Sequence, residues 1–253
     1  MVIDKKANID ISDPSALDKA FGEVAPQPIA CNNWPEEYPY APEVSFRMFH
    51  TGAQLLLRFD VRECCTMALV TEDNGEVWTD SCVEFFIAPD SDTSDSSDGG
   101  TAKNGNKTFA ESNGGTAKNG DSSIGVGNGD TERGYYNFET NCAGRMLFAF
   151  RKERPKPEYA PKEVMDSVKR SPSLGNEPFA ERNGDNRWSV TLAIPATALF
   201  RHNITDWSGV NARMNLYKCG DNLSRPHYLS WKPIVNPEPN FHLTEFFENV
   251  KFK

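Results

Sequence analysis

The chain has 253 residues, 38% of them hydrophobic and 11% aromatic, which suits one large globular domain or two small ones. Its net charge of -9 and pI near 5.0, with no basic cluster, exclude a surface that follows the phosphates of nucleic acid. No run of 18 apolar residues is present, so we predict no transmembrane helix. Residues 1–13 lack the apolar stretch of a secretory leader, which indicates a cytoplasmic chain unless a leader has been removed.

The N-terminal part predicts one short helix, followed by strands. Asp13 and Pro14 combine a helix cap with a first-turn proline, and we expect this helix to end near Gly22. Further along, apolar and polar residues alternate with a period of two, which is typical of strands with one buried face. The inward-facing rows are Leu55-Leu57-Phe59-Val61, Val83-Phe85-Ile87, Met146-Phe148-Phe150, Trp188-Val190-Leu192-Ile194, Met214-Leu216 and Val250-Phe252. Many short strands separated by turn residues predict an all-β fold, an antiparallel β-sandwich that forms a single domain over residues 1–253.

Two long segments interrupt this pattern. Residues 91–134 consist mostly of Ser, Asp, Gly, Asn, Thr and Lys, and the motif Gly-Gly-Thr-Ala-Lys-Asn-Gly occurs twice, at 99–105 and 114–120. Such a composition cannot bury enough apolar area to order its backbone, so we predict a flexible loop inserted between two strands. A glycine-rich phosphate cradle is the alternative, although no strand-to-helix context supports it. Residues 152–186, rich in charged residues and proline, are predicted to form a second exposed loop.

The chain contains six cysteines, whose spacing matches no zinc-binding pattern. Cys64 and Cys65 are adjacent in sequence, which is poor geometry for an ordinary disulfide. We therefore interpret the cysteines as small buried hydrophobic residues in a reducing compartment.

Two tryptophans stand apart from the core pattern. Trp78 and Trp231 are flanked by turn residues and lie outside any apolar alternation, whereas Trp188 is in phase with an inward row. An indole held at a loop offers a flat apolar face with a polar edge. Glu84 follows Trp78 by six residues and points away from the core, so it can accept hydrogen bonds from a ligand on the indole.

Strand phase places further polar side chains on the outward face. They are Asn137 and Glu139 on one strand, Arg213 and Asn215 on another, and Lys218 at the end of that second strand. Amides, carboxylates and cations beside an aromatic plate suit a sugar, whose hydroxyls need planar acceptors and donors. The pattern predicts a carbohydrate-binding site, and the alternative is that these outer rows are merely solvated.

Several sequence blocks resemble the carbohydrate-binding module family 9-like proteins of Bacteroidetes, distant relatives of the family 9 modules attached to xylanases. The resemblance covers nearly the whole chain outside the two long segments. Its blocks are residues 33–35, 38–46, 72–86, 135–141, 215–221, 227–231 and 241–242.

This resemblance implies a DOMON-like β-sandwich that binds carbohydrate without catalysis. In the xylanase modules two tryptophans clamp the terminal sugar of a glycan, helped by an acidic residue, and the matching positions are Trp78, Trp231 and Glu84. The xylanase modules also bind structural calcium. This chain has no acidic loop with clear ligand spacing, so we expect no cofactor, and a structural calcium ion stays an open alternative that the spacing does not support.

Three alternatives remain open. A glycan-processing enzyme would use Glu84 with Glu139 or Asp80 as a carboxylate pair. A haem domain would need Met214 with a histidine, although His227 and His242 are better interpreted as hydrogen-bonding loop residues. An interaction protein would bind a partner through its long loops.

Overall fold

The computed structural model describes residues 1–7, 9–90, 134–152 and 154–253. Within these ranges the chain folds as a β-sandwich of two sheets with short helical turns, which confirms the predicted fold class. The predicted insertion at residues 91–134 lies, apart from its last residue, outside the described residues. Neither α-helix in the described part of the chain is long and apolar enough to cross a membrane.

Fourteen strands are found in the described residues. In chain order they are β1 (Val2–Ile3), β2 (Gln27–Pro28), β3 (Cys31–Asn32), β4 (Glu43–His50), β5 (Gln54–Ala68), β6 (Cys82–Pro89), β7 (Tyr135–Asn141), β8 (Met146–Arg151), β9 (Pro157–Tyr159), β10 (Lys169–Pro172), β11 (Phe179–Pro195), β12 (Asn211–Cys219), β13 (Tyr228–Ser230) and β14 (Glu248–Phe252).

The strands form two sheets. The first has the order β1-β14-β12-β6-β7-β8-β9, and β13 lies between β12 and β3 beside this path. The second has the order β10-β11-β5-β4-β2. Strand pairs are antiparallel except for β1 and β14, which run parallel. In the first sheet, β6 has β12 on one side and β7 on the other, so these three strands can present side chains to one site.

The two α-helices pack differently, since the first lies outside the sandwich core and Met165 of the second belongs to the main core cluster. Helix α1 (Pro14–Gly22) begins where Asp13 accepts a hydrogen bond from the Ser15 backbone N–H at 2.9 Å, as its sequence predicts. It covers the outer face of the second sheet, where Phe21 packs on Phe49 with ring centroids 4.9 Å apart. Helix α2 (Lys162–Ser167) is shorter and follows β9.

The main core lies between the two sheets, where the inward rows meet. Phe46 and Leu57 from the second sheet share one apolar cluster with Phe85 and Phe138 from the first. Trp188 belongs to the same cluster and is only 4% exposed, which confirms its predicted inward orientation. Period-two alternation therefore identifies the core faces correctly, because neighbouring residues of a strand point to opposite sides.

The other face of the first sheet is covered as well. Loops bring Trp34, Val77, Ile234 and Phe247 over the outward side chains of β6, β7, β8 and β12, forming a second apolar cluster. All eight residues of β6 are consequently buried. Polar residues on this face therefore lie under loops, which explains why the outward row of β6 is mostly apolar.

The prediction of a long exposed loop at residues 152–186 is wrong. This segment contains β9, α2, β10 and the first part of β11, although most of its side chains are exposed. The start of β11 extends beyond the core and pairs with the far end of β5, where Arg62 forms an ion pair with Asp185 at 2.6 Å. Because both faces meet solvent there, the segment carries no apolar alternation that would identify it as a strand.

Candidate functional site

Trp78 lies in a single turn of 3-10 helix, Val77–Thr79, in the connection between β5 and β6. The buried carboxylate of Asp80 closes the base of this loop by accepting hydrogen bonds from Leu69 N–H at 2.9 Å and Val70 N–H at 3.0 Å. Asn141 on β7 donates a third bond to Asp80 at 2.8 Å. The indole is thus held by a loop that is fixed to the sheet.

A second loop, which follows β12, contacts the Trp78 turn directly. The Asp221 N–H donates to the Trp78 carbonyl at 3.2 Å, and the Asn222 N–H donates to the Thr79 carbonyl at 3.1 Å. The Trp78 side chain is only partly buried, so part of its surface is available to a ligand. These contacts join two loops that lie about 140 residues apart in sequence.

A cavity of about 130 Å³ opens beside this indole, and we call it the Trp78 cavity. The outward face of the first sheet supplies its carboxylates, and the covering loops supply its aromatic rings. Its lining residues are Trp78, Glu84, Glu139, Arg154, Cys219, Asp221, Tyr228, Pro239, Asn240, Phe241 and His242. Of the eight sequence-predicted ligand-binding residues, three line this cavity, namely Trp78, Glu84 and Glu139.

Glu84 on β6 and Glu139 on β7 are paired directly opposite each other in the antiparallel register. Directly opposed residues have their side chains on the same face, with Cβ atoms about 4.5–5.5 Å apart. Both side chains are almost completely buried. The Cys219 thiol donates to Glu84 Oε1 at 3.1 Å, and Asn137 Nδ2 donates to Glu139 Oε1 at 2.8 Å.

Burial and the neighbouring Glu139 carboxylate raise the pKa of Glu84 well above its ordinary value. Burial likewise raises the pKa of Glu139, although the hydrogen bond from Asn137 opposes this shift. Burial also raises the pKa of Asp221 to about 6. Two adjacent buried carboxyls resist carrying two negative charges together, and their oxygens offer several hydrogen-bond acceptors to a ligand.

Aromatic rings form much of the remaining wall. Phe241 stacks on Tyr217 with centroids 4.2 Å apart and an interplanar angle of 7°, and Tyr228 packs edge-on against Tyr38 at 4.7 Å. His242 Nδ1 lies 2.8 Å from the Tyr135 hydroxyl, and burial lowers the pKa of His242 to about 3. This histidine is therefore neutral at physiological pH. The wall thus combines aromatic rings with the polar side chains of Arg154, Asp221 and Asn240, as is usual in small-ligand sites.

The predicted position of Trp231 is wrong. Its ring lies in the main core, 8% exposed and edge-on to Phe46 at 5.5 Å, so it does not face Trp78. The Trp231 N–H bonds to the Leu216 carbonyl of β12 at 2.8 Å, which continues the pairing of β13 and directs this side chain inward. Turn residues on both sides of a tryptophan predict that it lies in a loop. They do not predict whether its indole ring points to solvent or into the core.

Lys218 also lies on the opposite face from the one predicted. Its ammonium is completely buried in the sandwich, 2.9 Å from Glu63 Oε2 and 2.8 Å from His227 Nε2. The alternation that points Arg213 outward on β12 requires Lys218 to point inward. Lys218 is therefore a structural cation that neutralises a buried carboxylate.

The three other predicted residues point outward but do not line the Trp78 cavity. Asn137 is completely buried, where it accepts a bond from Arg151 Nε at 3.0 Å and supports Glu139 from behind. Asn215 is also completely buried and connects the backbones of Lys232 and Phe246 to β12. Arg213 donates to the Thr244 carbonyl at 3.0 Å.

Most of the cavity residues that strand phase did not select lie in the sequence blocks that carry the family resemblance. Cys219 and Asp221 belong to the block at 215–221, Tyr228 to the block at 227–231, and Phe241 and His242 form the last block. Strand phase also predicts the position of Cys219, because this residue continues the outward-facing row of β12. The loop residues have no such periodicity.

The Glu84–Asp80 carboxylate pair and the haem site lack their predicted geometry, whereas the Glu84–Glu139 pair is present. Asp80 uses its oxygens to hold the Trp78 loop and does not line the cavity, so it does not form a pair with Glu84 there. Met214 lies in the sandwich core, whereas His242 lies under the loops on the other face of the first sheet. His227 is buried against Lys218, as expected of a hydrogen-bonding residue.

One group in the described ranges has side chains suited to a metal ion. The ligand atoms of Cys82, Glu84 and Cys219 lie within 4.8 Å of one another, and all three residues are buried. They come from β6 and β12, which are far apart in sequence. A search for short cysteine spacings therefore cannot find this group.

Comparison with known proteins agrees with this architecture. Residues 12–96 and 124–252 match the model of the family described as carbohydrate-binding family 9, which confirms the predicted family. The chain is also similar to the crystal structure of a Bacteroides uniformis protein that is described provisionally as carbohydrate-binding. The two share 36% identity with a TM-score of 0.78, covering 100% of this chain and 98% of the other.

Two more distant structures share the fold. Both are of a family 9 carbohydrate-binding module from Caldicellulosiruptor kristjanssonii. The complex with glucose has 9% identity and a TM-score of 0.53, covering 100% of this chain and 95% of that one. The complex with cellotriose has 8% identity and a TM-score of 0.50, covering 100% and 93%. A search of curated proteins finds no match.

Proposed function

Because the chain belongs to carbohydrate-binding family 9, we propose that its Trp78 cavity binds the end group of a carbohydrate without catalysing a reaction on it. The observation that carries this proposal is a partly exposed indole beside two buried, opposed carboxyls in one cavity. A sugar ring needs both features, since its C–H face packs on an aromatic plate and its hydroxyls need paired donors and acceptors.

The size of the cavity favours one sugar ring over a long chain. Its volume of about 130 Å³ is below the roughly 300–1,000 Å³ of pockets that enclose drug-sized ligands. Tyr228 and Phe241 also line the cavity, and in this proposal they contact the sugar in place of Trp231. The ring therefore stacks on one tryptophan, with phenyl and phenol rings at its edges.

The charge of the cavity favours neutral sugars. Glu84, Glu139 and Asp221 contribute three carboxyls, against one guanidinium from Arg154. A ligand carboxylate would add a further anionic group to a buried site that already raises the pKa values of its own three carboxyls. We expect glucose to bind more tightly than its uronic acid for this reason. In the family, glucose and cellotriose are ligands of the Caldicellulosiruptor module, so both are suitable first probes.

Calorimetric titration with glucose and cellotriose tests the proposal. We expect dissociation constants between micromolar and millimolar, because ordering and desolvation offset most of the contact energy. Trp78→Ala removes a stacking face of about 100 Å², worth about 2 kcal/mol, and should weaken binding roughly 30-fold. Glu84→Gln keeps the shape but removes an acceptor, and should weaken binding about tenfold.

Tyr159→Ala is a matched control, since this aromatic residue is exposed on β9 and does not line the cavity. It should bind both sugars as the wild type does. Unchanged binding by folded Trp78→Ala, or equal losses in both aromatic variants, would contradict the proposed site. Absence of binding to a broad panel of neutral sugars would contradict the proposed function itself.

The opposed carboxyls also raise the possibility of a glycan-processing enzyme. Catalysis needs an acid and a base or nucleophile on either side of the scissile bond. Glu84 and Glu139 instead project side by side from neighbouring strands onto the floor of the cavity. This arrangement favours binding. Chromatography of cellotriose after prolonged incubation would reveal hydrolysis products if the enzyme interpretation were correct.

A further inference from the structure

Two thiols and a carboxyl come together beside and beneath the Trp78 cavity, where Glu84 and Cys219 line the cavity and Cys82 lies buried next to them, in an arrangement that sugar binding does not require. Cys82 and Cys219 are directly opposed across the antiparallel pair of β6 and β12. Glu84 follows Cys82 by two residues on β6, so its side chain projects from the same face of the sheet. The two cysteines are 0% and 1% exposed, and both are free thiols.

The distances in this group are close to those of a tetrahedral metal centre. Zinc–sulfur bonds of about 2.3 Å and zinc–oxygen bonds of about 2.0 Å place neighbouring sulfurs about 3.8 Å apart, and sulfur and oxygen about 3.5 Å apart. The Cys219 sulfur lies 3.1 Å from Glu84 Oε1, and the three ligand atoms lie within 4.8 Å of one another. Small side-chain rotations are therefore enough to enclose an ion.

The donor set selects the kind of ion. Two thiolates and one carboxylate suit Zn²⁺ and related thiophilic ions, whereas Ca²⁺ and Mg²⁺ require oxygen ligands. Cys219 and Glu84 also line the Trp78 cavity, so a fourth coordination position would face that cavity. Three protein ligands with one open position differ from the closed four-ligand sites that only stabilise a fold.

From this geometry we infer that Cys82, Cys219 and Glu84 form a binding site for one thiophilic divalent cation of the Zn²⁺ class. Binding replaces the two thiol protons, which leave to solvent, with two metal–sulfur bonds. The hydrogen bond from Cys219 to Glu84 is replaced by coordination of both groups to the ion. The inference does not depend on the proposed sugar, although a bound ion would occupy the carboxylate that the sugar would contact.

Titration of the reduced, chelator-treated full chain with Co²⁺, without sugar, tests this inference. One equivalent should produce a thiolate-to-cobalt charge-transfer band and the visible bands of tetrahedral Co²⁺, and Zn²⁺ should displace it. Cys82→Ser and Cys219→Ser should each lose the charge-transfer intensity of one sulfur. Either change should weaken binding by more than the 10–100-fold typical of residues that only support a ligand.

Cys142→Ser is the matched control, because this cysteine is equally buried but lies outside the group. It should retain the complete cobalt spectrum. Glu84→Gln keeps both thiols and should weaken the affinity while retaining the charge-transfer band, which provides a second test if a serine variant does not fold. Circular dichroism establishes that each variant is folded.

Three results would overturn the metal site. They are a reduced protein that gives no charge-transfer band, a band that keeps its full intensity in both folded Cys82→Ser and folded Cys219→Ser, and a band that loses as much intensity in Cys142→Ser as in those two variants. A Cys82–Cys219 disulfide is the competing outcome. In that case air oxidation would lower the protein mass by two hydrogens, and the re-reduced chain would still bind no Co²⁺.

Discussion

The buried ion pair between Lys218 and Glu63 should make Lys218 essential for stability and unimportant for sugar binding. Both side chains are 0% exposed, and the ammonium lies 2.9 Å from the carboxylate. The other Glu63 oxygen accepts bonds from Trp188 Nε1 at 2.7 Å and Thr66 Oγ1 at 2.9 Å. Lys218→Met would leave this carboxylate charged, buried and without its cation.

Removing one partner of a buried pair costs about 3–5 kcal/mol, because the remaining charge stays desolvated. For a chain of this size, each kcal/mol lowers the melting temperature by roughly 2–4 °C, so we expect a decrease of about 6–20 °C. The double variant Lys218→Met/Glu63→Gln removes both charges. It should recover part of the loss, because the coupling between contacting residues is not additive.

Urea unfolding followed by tryptophan fluorescence measures these differences, and calorimetry with glucose measures binding by the folded variants. A loss below about 1 kcal/mol for Lys218→Met would refute the argument for a buried structural cation. Normal stability combined with lost glucose binding would restore Lys218 to the ligand-binding role that the sequence suggested.

Three further predictions concern other parts of the structure. Trp231→Ala should destabilise the core by about 3–5 kcal/mol, measured by urea unfolding, while the folded fraction binds glucose normally. Asp80→Asn should cost about 1–3 kcal/mol and weaken sugar binding, since one acceptor of the Trp78 loop is lost. Burial and the adjacent Lys218 ammonium lower the pKa of His227 to about 3, so stability is complete above the unfolded value of 6.5 and decreases as pH falls below it. This decrease in unfolding free energy is at most about 1.4 kcal/mol per pH unit, and His227→Gln should make it smaller. Urea unfolding between pH 7 and pH 5 measures the change. An unchanged slope in His227→Gln would contradict the assignment of this pH dependence to His227.

The sequence predicts the sandwich well because strand alternation is a local property. Val83, Phe85 and Ile87 face the core, and Glu84 faces away, with no information required beyond β6 itself. The pairing of Glu84 with Glu139 depends on the register between β6 and β7. That register is determined by the packing of the sheet and by segments outside β6. Period-two patterns therefore identify the right face but not the partner across the strand.

The errors at Trp231 and Lys218 have different physical origins. Trp231 follows a three-residue strand, where too few residues alternate to assign a face, and the backbone bond to Leu216 decides its direction. A charged residue near the end of a strand is expected to face solvent, so the sequence predicts the wrong face for Lys218. Its burial is favourable because Glu63 on the opposite sheet supplies a counter-charge. A buried counter-charge from a distant strand has no sequence signature.

The Trp78 cavity itself exceeds what the sequence could predict. Its walls come from at least five separate stretches of the chain, including β13, which carries Tyr228, and the loop that carries Phe241. Only the resemblance of sequence blocks to the family points to these segments as part of a binding site, and it does not say where they lie in space. The opposition of Cys82 and Cys219 is similarly a property of the strand register.

A crystal structure of the protein with glucose would show whether the Trp78 cavity holds the sugar. We predict a single sugar ring in the Trp78 cavity, with its C–H face on the Trp78 indole and a hydroxyl within hydrogen-bond distance of Glu84. A sugar bound elsewhere on the chain, or held through Trp231, would contradict this account.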